Sequence, residues 1–141
     1  MPKYDCFLSY NGRERASVRT VGEALDDEGL LIFYDEWSLV PGEPFHDGLQ
    51  DALLSTETFA IFVGPHGFSG WQREELRVAI DRRVRTGARV IPVLLPGADP
   101  NTVPPFLATA AWVEFRTIPD PNALHRISCG IRGVPAGRPN R

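Results

Sequence analysis

Short apolar runs alternate with amphipathic segments along almost the whole chain. The apolar runs carry the β-branched and aromatic residues that strands favour, and they predict five strands at residues 6–10, 30–34, 59–63, 90–95 and 112–115. In the segments between them, apolar positions recur every three or four residues, as on one face of a helix. These faces predict helices around residues 18–25, 45–53, 76–84 and 124–131.

Strands that are apolar on both sides are typical of a parallel sheet covered by helices on both faces. Five of them in this order predict an α/β domain of the flavodoxin-like type, with a five-stranded parallel sheet in the order 2-1-3-4-5. In such a sheet ligands bind beyond the carboxyl ends of strands 1 and 3, where the strand order reverses. The residues that follow these two strands are therefore the first candidates for a functional site.

A chain of 141 residues is long enough for one ordinary hydrophobic core and short for two. We predict a single domain over residues 1–133. Residues 134–141 are rich in Pro, Gly and Arg and have no core-forming pattern. They are expected to form a linker-like tail that leads to further domains.

Composition narrows the classes of function. The formal net charge of −3 argues against direct nucleic-acid binding, and no apolar run approaches the roughly 20 residues of a membrane span. Cys6 and Cys129 lie in an apolar run and a predicted helix, so we expect buried, reduced thiols and a cytoplasmic location. His46 and His125 have no metal-ligand spacing with either cysteine, so no metal site is predicted.

Polar and aromatic residues follow both strands at the predicted crevice. Ser9, Tyr10 and Asn11 come at the end of strand 1. Trp71 and Glu75 come after strand 3, and their four-residue spacing at a helix start places a flat ring and a carboxylate on one face. This pair suits a ligand with a ring and a sugar, and the free N–H groups of the helix start favour a phosphate nearby.

The same residues also have a purely structural interpretation. A Glu near a helix start often only complements the helix dipole, and a Trp there often belongs to the core. Glu74 points to another face and serves as an internal comparison for Glu75. His66 is predicted to be a solvated loop residue. Five arginines of the same helix form either a solvated face or a partner surface: Arg73, Arg77, Arg82, Arg83 and Arg85.

Several functions that use related folds or motifs are excluded. A phosphoacceptor receiver needs an Asp at the end of strand 3, where this chain has Gly64, and an acidic pair after strand 1, where it has residues 9–11. The chain contains neither a G-x-x-x-x-G-K phosphate loop nor a G-x-S-x-G nucleophile elbow.

Three segments resemble the signature boxes of Toll/interleukin-1 receptor (TIR) domains. YDCFLSY at residues 4–10 is similar to the first box, and FYDEWSLVPG at residues 33–42 is similar to the BB loop with its Pro-Gly end. FVGP at residues 62–65, followed by SGWQREEL at residues 69–76, resembles the third strand and the W-x-x-x-E region of bacterial members. The resemblance covers about residues 4–132 and implies the same flavodoxin-like sheet.

The resemblance implies an enzyme of the prokaryotic type that cleaves NAD⁺ at the nicotinamide–ribose bond. Its products would be nicotinamide and ADP-ribose or a cyclic ADP-ribose isomer. The protein would act as an effector in bacterial anti-phage or cell-suicide defence. NAD⁺, and by the same recognition NADP⁺, would be a substrate, so no cofactor is expected. The alternative is a non-catalytic scaffold that signals through TIR–TIR contacts, as receptor and adaptor members do.

The resemblance also implies roles for individual residues. The W-x-x-x-E glutamate falls on Glu75, which would be the catalytic residue, and Trp71 and Asp35 match positions near the ligand cleft. Some family members carry basic residues directly after the first box, where this chain has Asn11 and Gly12. Arg13 and Arg15 are therefore the candidates to hold the diphosphate.

The BB-loop resemblance implies assembly with other TIR domains into a homo-oligomer or filament, which would gate activity. The predicted contact residues are Trp37, Leu39, Pro41 and Gly42. Of these, Trp37 and Leu39 are expected to be exposed apolar side chains.

Overall fold

The computed structural model describes residues 4–68, 70–105, 107 and 110–138. The side chains of Phe45, His46 and Trp71 also lie outside the described part, although their backbone is included.

Five strands and five α-helices make up the described chain. The strands are β1 (Cys6–Ser9), β2 (Ile32–Phe33), β3 (Thr58–Val63), β4 (Arg89–Leu94) and β5 (Val113–Glu114). The helices are α1 (Arg15–Asp27), α2 (Asp35–Ser38), α3 (Phe45–Leu54), α4 (Gly70–Thr86) and α5 (Pro121–Arg132). Short 3₁₀ turns occupy Gly12–Glu14 and Pro100–Thr102.

The five strands form one parallel sheet in the order β2-β1-β3-β4-β5. Strand β1 pairs with β3 through Ser9 opposite Ile61, and β3 pairs with β4 through Thr58 opposite Arg89. The predicted α/β class and strand order are confirmed. The carboxyl ends of β1 and β3 lie side by side, so the loops that follow them meet at one edge of the sheet.

Two hydrophobic clusters cover the two faces of the sheet, because successive strand residues point to opposite sides. On one face, Leu8 and Phe62 belong to the cluster that α1 and α5 complete. On the other, Phe7 and Ile61 belong to the cluster that α3 and α4 complete. This layering is the one predicted from the apolar strands, and it fixes α4, the helix that carries Glu75, against β1 and β3.

Several local predictions were wrong. Strand β2 is shorter than predicted. The segment at residues 33–42 that resembles the BB loop contains the helical turn α2, in which the Ser38 hydroxyl accepts the Tyr34 N–H and the Asp35 carboxylate accepts the Glu36 N–H. Val84, the last residue of the apolar helix face predicted at residues 76–84, is 81% exposed. It lies in the last turn of α4, whereas Leu76 and Ala79 of the same helix are buried.

The two cysteines behave as predicted. Cys6 and Cys129 are both buried and both free. Burial raises the pKa of the Cys6 thiol to about 12, which keeps it protonated and unreactive.

Candidate functional site

A buried carboxylate lies where the ends of β1 and β3 meet. Glu75 stands in the second turn of α4 and is only 8% exposed. The Ser9 hydroxyl, at the end of β1, donates to Glu75 Oε1 at 2.7 Å. Two of the residues singled out from the sequence are thus in direct contact across 66 positions of chain. Glu74, the comparison residue, is exposed beside Arg77.

Gln72 fixes α4 to the sheet one turn before Glu75. Its side chain is fully buried, and its Nε2 donates to the carbonyl oxygens of Phe62 at 2.7 Å and Ser9 at 3.2 Å. Sequence reasoning missed this role. The available signal was spacing, since positions 72 and 75 are three apart and share a helix face.

We expect Gln72→Leu, which keeps the volume and removes both donated hydrogen bonds, to lower the free energy of unfolding by about 2 kcal/mol. Urea denaturation measures this loss, and Arg73→Leu at the neighbouring exposed position is the matched control. A Gln72→Leu variant as stable as that control would contradict the anchoring role of the amide.

The pKa of the Glu75 carboxyl is raised, and burial is the main cause. Loss of hydration raises the pKa of this carboxyl to about 7; the hydrogen bond from Ser9 opposes the rise and the negative charge of Asp35 adds to it. A group poised near neutrality is a frequent property of functional carboxyls.

A second polar cluster surrounds Asp35 at the start of α2. The Tyr10 hydroxyl donates to Asp35 Oδ1, and the Tyr34 hydroxyl donates to Glu36 Oε2 at 3.0 Å. Arg15 forms an ion pair with Glu36 at 2.9 Å. Burial and the Asp35 carboxylate raise the pKa of Tyr10, so its hydroxyl remains a donor. Tyr10 and Asp35, both predicted as substrate-binding residues, are therefore hydrogen-bonded to each other.

The loop after β1 is joined to the loop after β3 by two side chains. Asn11 Nδ2 donates to the carbonyl oxygens of His66 at 3.4 Å and Gly67 at 3.3 Å. The buried Glu14 accepts the backbone N–H of His66 at 3.1 Å and contacts its Nδ1 at 2.6 Å. His66 is an exposed loop residue, as predicted, and it is also hydrogen-bonded to Glu14, whose role the sequence analysis missed. Asn11 holds a loop in place, whereas a substrate-binding role for it stays a prediction.

The predicted contact loop presents a mixed surface. Trp37 is 42% exposed, with its ring edge-on to Tyr34 at a centroid distance of 4.8 Å. Leu39 packs partly against the core, so the expectation that it is exposed was wrong; the neighbouring Val40 is exposed instead. Pro41 and Gly42 form the exposed end of this loop.

The side chain of Trp71 lies outside the described residues, so its place beside Glu75 stays a prediction. In the described ranges, no group of three or more His, Cys, Asp or Glu side chains is arranged to hold a metal ion. No helix in that part of the chain combines the length and the apolar composition that crossing a membrane requires.

A family model described as "TIR domain" matches residues 6–128. Among curated relatives, the stimulator of interferon genes protein of Magallana gigas is 26% identical over 79% of this chain and 28% of its own length. The "Probable 2' cyclic ADP-D-ribose synthase TcpB" of Brucella abortus is 27% identical over 64% of this chain and 37% of its own. The "NAD(+) hydrolase PdTIR" of Paracoccus denitrificans is 24% identical over 65% and 31%.

The chain thus spans well under half the length of each of these three relatives. Among solved structures, the TIR domain of the Toll-related receptor TRR-2 from Hydra magnipapillata superposes with a TM-score of 0.73 at 20% identity. That match covers 92% of this chain and 99% of the other, and it supports the fold.

Proposed function

The chain belongs to the TIR domain family, and from this membership together with the buried Glu75 carboxylate we propose that it is an NAD⁺ nucleosidase. The observation that carries the proposal is the position of Glu75 at the carboxyl edge of the sheet, hydrogen-bonded to Ser9. Relatives named as an NAD⁺ hydrolase and as a cyclic ADP-ribose synthase support the same reaction class.

One carboxylate is sufficient for this reaction. Ordinary glycoside hydrolysis uses two, because an acid must protonate the leaving oxygen. In NAD⁺ the leaving group is a pyridinium, so the electron pair of the broken C1′–N bond neutralises its nitrogen and nicotinamide leaves unprotonated. The protein needs to orient the ribose and to place negative charge near the developing oxocarbenium ion. We assign both tasks to Glu75 in its ionised form.

The second half of the reaction determines the product. A water oxygen that bonds to C1′ and releases its proton gives ADP-ribose, whereas a ring nitrogen or hydroxyl of the same ligand gives a cyclic isomer.

Three residues are proposed to bind the substrate. Asp35, which accepts the Tyr10 hydrogen bond, is proposed to contact the ribose hydroxyls, and the Trp71 ring is proposed to lie against the nicotinamide or adenine. Arg13 is proposed to meet the diphosphate, since Arg15 already pairs with Glu36. We extend the proposed substrate range to NADP⁺.

Nicotinamide release from NAD⁺ by the concentrated protein is the experiment that tests the proposal. We expect nicotinamide to appear in equal amount to ADP-ribose and its cyclic isomers together, as separated by chromatography. A protein that self-associates yet releases no nicotinamide at any concentration would be a non-catalytic scaffold, in which Glu75 and Ser9 only close the end of the sheet.

We further propose an effector role in bacterial anti-phage or cell-suicide defence, carried by residues 1–133 with residues 134–141 as a tail towards a further domain. Two buried, free thiols suit the reducing cytoplasm, where NAD⁺ would be consumed. Because Glu75 is almost closed off from solvent in the single chain, contacts between copies are proposed to admit NAD⁺, which then keeps water away from the carboxylate.

Specific activity is expected to rise with protein concentration through contacts of residues 37–42 in a homo-oligomer or filament. Gly42 has a φ of +89° and Gly29 a φ of +87°, with no atom near either Cβ position. Alanine at either site is therefore strained by about 1 kcal/mol. Only Gly42→Ala should flatten the concentration dependence, measured across a dilution series. If Gly29→Ala flattens it equally, the loop is not the contact.

A further inference from the structure

A cavity lies at the end of the sheet opposite Glu75. It has a volume of about 640 Å³ and reaches Val90 of β4 and Val113 of β5, near the amino-terminal ends of both strands. Gly87, just past α4, and residues 134–136, just past α5, form two of its walls. The volume is within the roughly 300–1,000 Å³ typical of small-molecule sites.

Three arginines line this cavity: Arg83, Arg89 and Arg126. No acidic residue is among its lining residues, and within the described ranges no carboxylate forms an ion pair with any of the three. On the same helix as Arg83, by contrast, Arg77 pairs with Glu74 and Arg85 pairs with Asp81. Arg83 is thus the α4 arginine that lines this cavity, and no carboxylate in the described ranges pairs with it.

The three guanidinium groups are not equivalent. Arg89 Nη1 donates to the Gly130 carbonyl at 2.8 Å and so satisfies the end of α5. Arg126 makes one long contact of 3.4 Å, from Nη2 to the Trp112 carbonyl. Most of the N–H donors of Arg83 and Arg126 therefore remain for a ligand with several anionic oxygens.

Trp112 adds a flat apolar surface to the same cavity. Its side chain is 37% exposed although the residue lines the cavity together with the apolar Val90 and Val113. An exposed indole next to arginines favours a ligand that carries a flat ring as well as anionic oxygens, because the ring stacks while guanidinium groups bind the anion.

We propose that this cavity binds a nucleoside monophosphate or diphosphate, at a site separate from the one around Glu75. The phosphate oxygens accept hydrogen bonds from Arg83 and Arg126, and the base lies against Trp112. The proposal does not depend on the reaction assigned to Glu75, since the two sites use opposite ends of the strands.

Calorimetric titration of the whole chain with AMP tests the proposal, with inorganic phosphate as the ringless probe. We expect AMP to bind and the double variant Arg83→Gln/Arg126→Gln to bind it about tenfold or more weakly. The matched control, Arg77→Gln/Arg85→Gln, removes the same charge from exposed, ion-paired positions and should bind AMP as the wild type does. Trp112→Leu should weaken binding of AMP and leave that of phosphate unchanged.

Other outcomes overturn the proposal. If AMP does not bind, or binds the Arg83→Gln/Arg126→Gln variant as tightly as the wild type, the cavity is not a nucleotide site. Equal weakening in both double variants would indicate a general charge effect. Since Arg83 and Arg126 are both exposed, the unliganded variants should melt like the wild type. A lower melting temperature of the Arg83→Gln/Arg126→Gln variant with unchanged AMP affinity would assign these two arginines to the stability of the fold and not to a ligand.

Discussion

Glu75→Gln is expected to reduce NAD⁺ cleavage by about 100- to 1,000-fold while leaving the fold intact. Glutamine keeps the shape of the side chain and an oxygen that accepts the Ser9 hydrogen bond, so packing at the end of β1 is preserved. It lacks the negative charge that stabilises the oxocarbenium ion. Nicotinamide release under saturating NAD⁺ measures the loss, and melting temperature confirms the fold.

Glu74→Gln is the matched control for this experiment. Glu74 immediately precedes Glu75 in the chain, but its side chain is exposed beside Arg77 at the surface of α4. Neutralising it removes the same charge from the same helix, so activity should stay close to that of the wild type. Wild-type turnover by Glu75→Gln, or an inactive Glu74→Gln, would show that the catalytic carboxylate is wrongly assigned.

The order of the strands was predictable because it depends on patterns that are local in sequence. Each apolar run reports its own burial, and alternation with amphipathic helices restricts the sheet to few arrangements. The same reasoning placed Ser9 and Glu75 at one edge, since parallel strands end together. In the structure the Ser9 hydroxyl does donate a hydrogen bond to Glu75, so these two residues meet where the sequence predicted.

The polar contacts that hold the site together were not predictable in the same way. Gln72 and Glu14 are polar residues of a type that is usually exposed, and each has a partner more than 50 positions away, Ser9 and His66 respectively. Gln72 reaches two strand carbonyls, and Glu14 reaches the His66 N–H across the sheet edge. The spacing of Gln72 and Glu75 places both on one helix face, but the partners of Gln72 and Glu14 leave no trace in the periodicity, so only the folded chain reveals those contacts. The burial of the Glu75 side chain likewise could not be predicted from the sequence pattern.

Activity is expected to rise with pH through about 7, because catalysis needs the ionised carboxylate and the pKa of Glu75 is about 7. Well below this value, kcat should fall about tenfold for each unit of pH. Ser9→Ala removes a hydrogen bond to the charged form, and it should move the midpoint to higher pH. Asp35→Asn removes a neighbouring negative charge and should move the midpoint to lower pH.

The same titration should appear in stability. The folded pKa of Glu75 is raised above its ordinary value of 4.5, so the folded state holds the proton more tightly than the unfolded chain does. The stabilising effect of this proton is fully present below pH 4.5 and is lost as the pH rises through 7. The difference between these two pKa values, 4.5 and about 7, corresponds to roughly 3 kcal/mol of unfolding free energy.

Glu75→Gln isolates this effect, since glutamine does not titrate. Between pH 4.5 and pH 8, the wild type should lose about 3 kcal/mol of unfolding free energy relative to Glu75→Gln, measured by urea denaturation at each pH. Most of this loss of unfolding free energy should have occurred by about pH 7, and above that pH the difference between the two proteins should become constant. Parallel stability profiles would mean that the Glu75 carboxyl titrates at its ordinary pKa. The carboxylate would then have to lie in contact with water. In that position its charge would stabilise an oxocarbenium ion far less than in a buried site.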